Sequence, residues 1–136
     1  METADMVFEG GQNGSGPSVL VVEDNPYDRD ICKMLIEKAG FSVLVARDGE
    51  EGVQMLSANI QSVRLAIVDS RMPKMDGLEA IDAMRKVKTN LHYVLCTGFD
   101  SDDAQELFGG LPQDVQLLTK PYKKDDLLNL VWKLTQ

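Results

Sequence analysis

Apolar residues in this chain follow two rhythms. Short runs rich in β-branched residues, Val19-Leu20-Val21-Val22, Ser42-Val43-Leu44-Val45-Ala46, Leu65-Ala66-Ile67-Val68, Tyr93-Val94-Leu95-Cys96 and Val115-Gln116-Leu117-Leu118, are each bounded by turn residues. Runs of that length, apolar on both alternating faces, predict strands of a parallel sheet buried on both sides. Between them apolar residues recur every three or four positions, the spacing of a helix with one inward face. The predicted strands are 19–23, 42–46, 63–69, 91–97 and 114–119. Tyr27, Ile31, Met34 and Leu35 mark the first helix, which starts after Asn25-Pro26 and stops at Gly40. Asp48 caps a second helix carrying Val53, Leu56 and Ala58, and a third starts at Gly77 with Leu78, Ile81 and Met84 on one side. A short helix is predicted within 101–108, with Ala104, Leu107 and Phe108 inward. The last runs from Lys123 to Leu134 and turns Leu127, Leu128, Val131 and Leu134 to the sheet. Five strand-helix units with right-handed crossovers make a doubly wound α/β fold, helices on both faces of a five-stranded parallel sheet.

The strand ends carry the chemistry. One run stops at Glu23-Asp24, one at Asp69, one at Thr97-Gly98 and one at Lys120-Pro121. A doubly wound sheet puts functional residues just outside the carboxyl ends of its strands, so these groups converge on one edge. Asp69 lies too far from the helix start near Gly77 to cap it, which leaves a chemical role. Glu23, Asp24 and Asp69 repel one another unless a cation bridges them. An all-oxygen set without His or Cys selects Mg²⁺, or Mn²⁺. Beside such an ion an Asp can attack phosphorus, while Lys120 and Thr97 bind phosphoryl oxygens. Taken singly, Glu23-Asp24 is a plausible turn and cap, and Thr97-Gly98 and Lys120-Pro121 are ordinary strand ends; their joint order favours the chemistry.

Length and charge narrow the class. The 136 residues, 43% of them apolar, suffice for one domain. Residues 1–18, with Gly10, Gly11, Gly14, Gly16 and Pro17, read as a flexible tail or linker, and residues 19–136 as the globular domain. The balance of 14 basic to 22 acidic residues, net −8, disfavours nucleic acid and anionic membranes as direct partners. Cys32 and Cys96 form no ligand or disulfide pattern and read as buried thiols, which with the absence of a spanning segment or signal peptide predicts a cytoplasmic protein. His92, the single His, reads as a strand-edge residue, so the chain offers no phosphoryl donor of its own. Met72 and Met75 read as loop anchors and Trp132 as half-packed surface.

Residues 19 to about 134 resemble the receiver domain of response regulators in two-component signalling. The resemblance rests on Val-Glu-Asp-Asn-Pro at 22–26, on Asp69 within Val-Asp-Ser-Arg-Met-Pro-Lys-Met-Asp-Gly, on Thr97-Gly98 and on Lys120-Pro121. It implies the flavodoxin-like strand order 2-1-3-4-5, Asp69 as phospho-acceptor, and Asp24 as main Mg²⁺ ligand with Glu23 helping through metal-bound water. The Arg71 carbonyl would complete the shell, Lys120 would pair with the phosphoryl group, Thr97 would move toward it, and the Lys120-Pro121 peptide would be cis. The implied donor is a histidine kinase or a His-containing phosphotransfer protein. The implied output is a protein-binding surface on the fourth helix, fifth strand and fifth helix. Arg71 and Phe99 sit where the family tunes phosphoryl lifetime, and both are large enough to shield the site.

One position departs from the pattern. Receivers often carry an aromatic residue three positions before the Lys, and here that residue is Leu117. An aliphatic side chain has no ring to swing, so a pseudo-receiver, a binding module that is never phosphorylated, is the alternative; Phe99 or Tyr122 could take over the aromatic part. A phosphatase with a nucleophilic Asp is disfavoured because Arg71 stands where its acid/base Asp would be. A flavin binder is disfavoured because the two acids would repel the flavin phosphate.

Overall fold

The computed structural model describes residues 17–98 and 110–136. The expected helix within 101–108, Phe99 and residues 1–16 of the tail lie outside the described residues. Five parallel strands, β1 (Ser18–Val22), β2 (Ser42–Ala46), β3 (Val63–Asp69), β4 (His92–Thr97) and β5 (Val115–Thr119), form one sheet in the order β2-β1-β3-β4-β5. This is the doubly wound flavodoxin-like arrangement expected. Helices α1 (Pro26–Lys38), α2 (Gly49–Ala58), α3 (Gly77–Arg85) and a C-terminal helix (Lys124–Thr135) join the strands.

Alternation along the strands divides the core into two layers. Leu20, Val22, Ala66, Val68, Tyr93 and Leu95 point one way, into Leu56 of α2 and Ile81 and Met84 of α3. Val19, Val21, Leu65, Ile67, Val94 and Cys96 point the other way, into Cys32 and Ile36 of α1 and Leu127 and Val131 of the C-terminal helix. Each fully buried aliphatic side chain contributes roughly 1.5–3 kcal/mol. β1, β3 and β4 are covered on both faces, and their carboxyl ends are therefore held rigidly.

The helix starts are fixed locally. The Asn25 side chain accepts hydrogen bonds from the Tyr27 and Asp28 amides ahead of Pro26. Asp48 caps α2 by accepting from Glu51 N at 2.8 Å. Asp76 and Glu79 form a reciprocal capping box at the start of α3. Gly40, at φ +100°, takes the left-handed turn that ends α1.

Only part of the apolar spacing that marks α1 faces the sheet. Cys32 and Ile36 are buried and Leu35 packs beside them, whereas Tyr27, Ile31 and Met34 are exposed, Tyr27 by 75%. Apolar residues spread around about half of this helix, and a flat sheet covers only the stripe centred on Cys32 and Ile36. Ala58 of α2 is likewise exposed. Met72 and Met75 pack against the core as loop anchors, and His92 opens β4 at the surface. Trp132 is 62% exposed. Cys32 and Cys96 are buried free thiols. No helix among the described residues is long and apolar enough to cross a membrane.

Candidate functional site

Four of the predicted residues meet where the central strands end. Glu23 follows β1 directly, and its backbone is held on two sides: its N–H donates to Ala46 O at 3.0 Å, and Arg29 Nη1 donates to its carbonyl at 3.0 Å. Its Oε2 accepts from the Asn25 amide at 3.2 Å, so the acidic side chain is tied to the turn that starts α1. Asp69 closes β3, paired in register with Cys96 of β4. Carboxylate oxygens of Glu23, Asp24 and Asp69 lie within 4.8 Å of one another, with Glu23 buried, Asp69 half-buried and Asp24 exposed.

Lys120 arrives from the end of β5. Its Nζ donates to Glu23 Oε1 at 2.8 Å and to Asp69 Oδ1 at 3.1 Å, and Asp28 Oδ2 stands 3.7 Å away. The Lys120 amide donates to Thr97 O at 2.7 Å, which fixes β5 against the end of β4. The Lys120-Pro121 peptide is cis, as the resemblance implied. Thr97 is completely buried at the same edge, opposite Thr119 in the β4–β5 register. Arg71 lies on the exposed surface of the loop after β3.

The loop after Asp69 is folded back on the strand. Ser70 N donates to Cys96 O at 2.8 Å, and Gly77 N donates to Ser70 O at 3.0 Å. A Cβ on Gly77 would stand 2.5 Å from Asp69 O and 2.6 Å from Leu95 Cδ1, so only glycine lets α3 start this close to the acid. Lys74 in the same loop has φ 71°, a left-handed conformation uncommon outside glycine and short polar residues.

Charge is unbalanced here. Burial pushes the Glu23 and Asp69 carboxyls above the ordinary range, and the hydrogen bonds from Lys120 reverse that only in part. For Lys120 burial works to lower the pKa, but its bonds to the same two carboxylates prevail and hold it well above the usual lysine value. One ammonium therefore faces Glu23, Asp24, Asp69 and, farther off, Asp28. The surplus negative charge, the all-oxygen donor set and the partial exposure of the acids suit a hard divalent cation that keeps some of its water.

Three neighbours of the site escape a reading of strand ends. Asn25 and Arg29 position Glu23, and Asp28 adds a carboxylate near Lys120. Asn25 could have been found as the cap ahead of Pro26; Asp28 and Arg29 follow only from the direction in which α1 leaves the turn.

Comparisons with known proteins agree with this geometry. The family model for the response regulator receiver domain matches residues 19–132. The cell cycle transcriptional regulator CtrA of Caulobacter vibrioides is 28% identical over 111 residues, covering 81% of this chain and 46% of CtrA. The chain thus spans less than half the length of that curated relative. A response regulator receiver domain protein from Clostridium thermocellum superposes with a TM-score of 0.77 at 24% identity, over 88% of this chain and 94% of that one, which bears on the fold. The receiver domain of the hybrid histidine kinase CckA gives 0.74 at 26% identity, over 88% and 99%. With the family pattern matched from β1 into the C-terminal helix, the chain belongs to the response regulator receiver family.

Proposed function

We propose that this receiver is a phosphorylatable switch in which Asp69 accepts a phosphoryl group from a histidine kinase or a His-containing phosphotransfer protein. The observation that carries the reading is the convergence of Asp69, Lys120 and two further acids at one sheet edge, with the Lys120 ammonium bonded to the acceptor carboxylate. An Asp69 oxygen attacks phosphorus as the bond from phosphorus to the donor imidazole nitrogen breaks, and its electron pair stays on that nitrogen. Lys120 then turns from the carboxylate to the phosphoryl oxygens. The Thr97 hydroxyl bonds another oxygen. Glu23, Asp24, Asp69 and the Arg71 carbonyl would hold Mg²⁺ (Mn²⁺ as a substitute), whose charge, when bound, offsets that of the transferring group.

The approach beside Lys120 supports a protein donor. Asp28, Ile31, Lys120, Pro121 and Tyr122 line a cleft of about 390 Å³. Ile31 with exposed Tyr27 and Met34 offers an apolar landing area on α1. The output surface is assigned to the segment within 101–108, β5 and the C-terminal helix. Leu117, partly buried against the core, replaces the ring that would swing there. The domain is read as cytoplasmic, with residues 1–18 as a flexible tail or linker.

Acetyl phosphate with Mg²⁺ replaces the protein donor in the simplest test. Intact mass should rise by one phosphoryl group with Mg²⁺ and stay unchanged with EDTA. An unmodified protein under both conditions would favour the pseudo-receiver reading, for which Leu117 speaks.

A further inference from the structure

We propose that the junction between β2 and α2, residues 46–49, braces the loop that follows Asp69, with Gly49 as a positioning residue that acts through Met75. The proposal rests on the reading of Glu23, Asp24, Asp69 and the Arg71 carbonyl as a Mg²⁺ site. It adds to that site a stretch of chain that contributes none of its acids.

The loop is closed at its base, where Ser70 bonds both Cys96 and Gly77, but its tip needs a hold of its own. There Met75 N donates to Pro73 O at 2.7 Å across Lys74, whose φ is 71°. A bond spanning three residues around a positive φ has the form of the γ-turn that is rare and strained for L-residues. Such backbone persists where surrounding contacts over-determine it. Gly49 supplies that contact. It is buried at the first position of α2, and a Cβ there would stand 2.6 Å from Met75 Sδ, 3.2 Å from Met75 Cγ and 3.1 Å from Ala80 Cβ of α3. The Met75 thioether therefore lies in the space that a side chain at position 49 would fill.

The seat itself is held from several sides. Asp48 accepts from Glu51 N at 2.8 Å, the Arg47 amide donates to Glu51 Oε1 at 2.6 Å, and Ala46 O accepts from Glu23 N at 3.0 Å. The junction thus reaches the acid cluster twice: Glu23 through a backbone bond, and the loop carrying Arg71 through Met75. Plain core packing explains why Met75 is half-buried. It does not explain glycine at position 49, where alanine is the better helix former, or a strained turn directly before the residue that Gly49 seats.

The test uses the full chain and begins without metal. In Mg²⁺-free buffer the heteronuclear ¹H–¹⁵N Overhauser effects of Lys74 and Met75 should fall from rigid-backbone values in Gly49→Ala and in Met75→Ala. Val131→Ala, buried in the opposite core layer, lowers stability from the far face of the sheet and should leave them at wild-type values. Titration with Mg²⁺ should then give a dissociation constant at least about threefold higher in each loop variant, with no further rise when the two are combined, because both remove one contact. Unchanged Overhauser effects in Gly49→Ala would overturn the brace. Wild-type Mg²⁺ affinity in the loosened variants, or additive losses in the double variant, would overturn its positioning role. A wild type that binds no Mg²⁺ would overturn the metal reading and the positioning role together, whatever the loop does.

Discussion

At the scale of single residues, the account turns on two carboxylates sharing one ammonium. Burial raises the Asp69 pKa despite the Lys120 bond, so the carboxylate costs more in the folded state than in the unfolded chain. Asp69→Asn should therefore raise the melting temperature in Mg²⁺-free buffer by roughly 3 °C, a shift on the order of 1 kcal/mol for a domain of this size. The gap should close on adding Mg²⁺, because wild type alone keeps all three acids; calorimetry of both proteins across a Mg²⁺ series checks this. Asp24, Asp69, Thr97 and Lys120 were readable because each stands within two residues of the end of an apolar run. Asp28 and Arg29 were not, since their part in the site depends on where one turn of α1 points rather than on any pattern in its sequence.

At the scale of elements, the close start of α3 is the most constrained joint. A Gly77 Cβ would collide with the Asp69 carbonyl, so Gly77→Ala should cost about 1–3 kcal/mol as an overpacked contact. Denaturant unfolding measures the loss, and a slower phospho-adduct in the same variant would show that the shift reaches Asp69. Farther along α3, Arg85 holds Asp114 ahead of β5 through Nε at 2.8 Å and through Nη2, and also bonds Asp82. The Arg85 hydrogen bonds hold the Asp114 carboxyl below its ordinary value. Its contribution is thus fully present above the unfolded-state pKa, about 4, and fades as the pH falls through the lower folded value. Asp114→Asn should destabilise by about 1 kcal/mol at neutral pH, discounted for partial exposure, and the difference should shrink below pH ~4 in pH-dependent thermal melts.

The same scale explains what periodicity could and could not give. Strand positions were legible because β1, β3 and β4 are buried on both faces and are apolar through their middles. The spacing of Tyr27, Ile31, Met34 and Leu35 marked α1 as a helix but not its inward face, because apolar residues lie on more than one side; the sheet takes Cys32 and Ile36.

For the whole molecule, topology converts separate strand ends into one site. Lys120 and Glu23 are 97 positions apart in the chain, yet the order β2-β1-β3-β4-β5 brings them to 2.8 Å. Glu23, Asp24 and Asp69 thus collect at the carboxyl edge of the sheet. The central claim is that this edge makes a covalent bond through Asp69. After incubation with acetyl phosphate and Mg²⁺, borohydride reduction and peptide mapping should find the reduced acyl phosphate at Asp69 alone, and nowhere in Asp69→Asn. Reduction at another carboxylate, or none at Asp69 in wild type, would contradict the account.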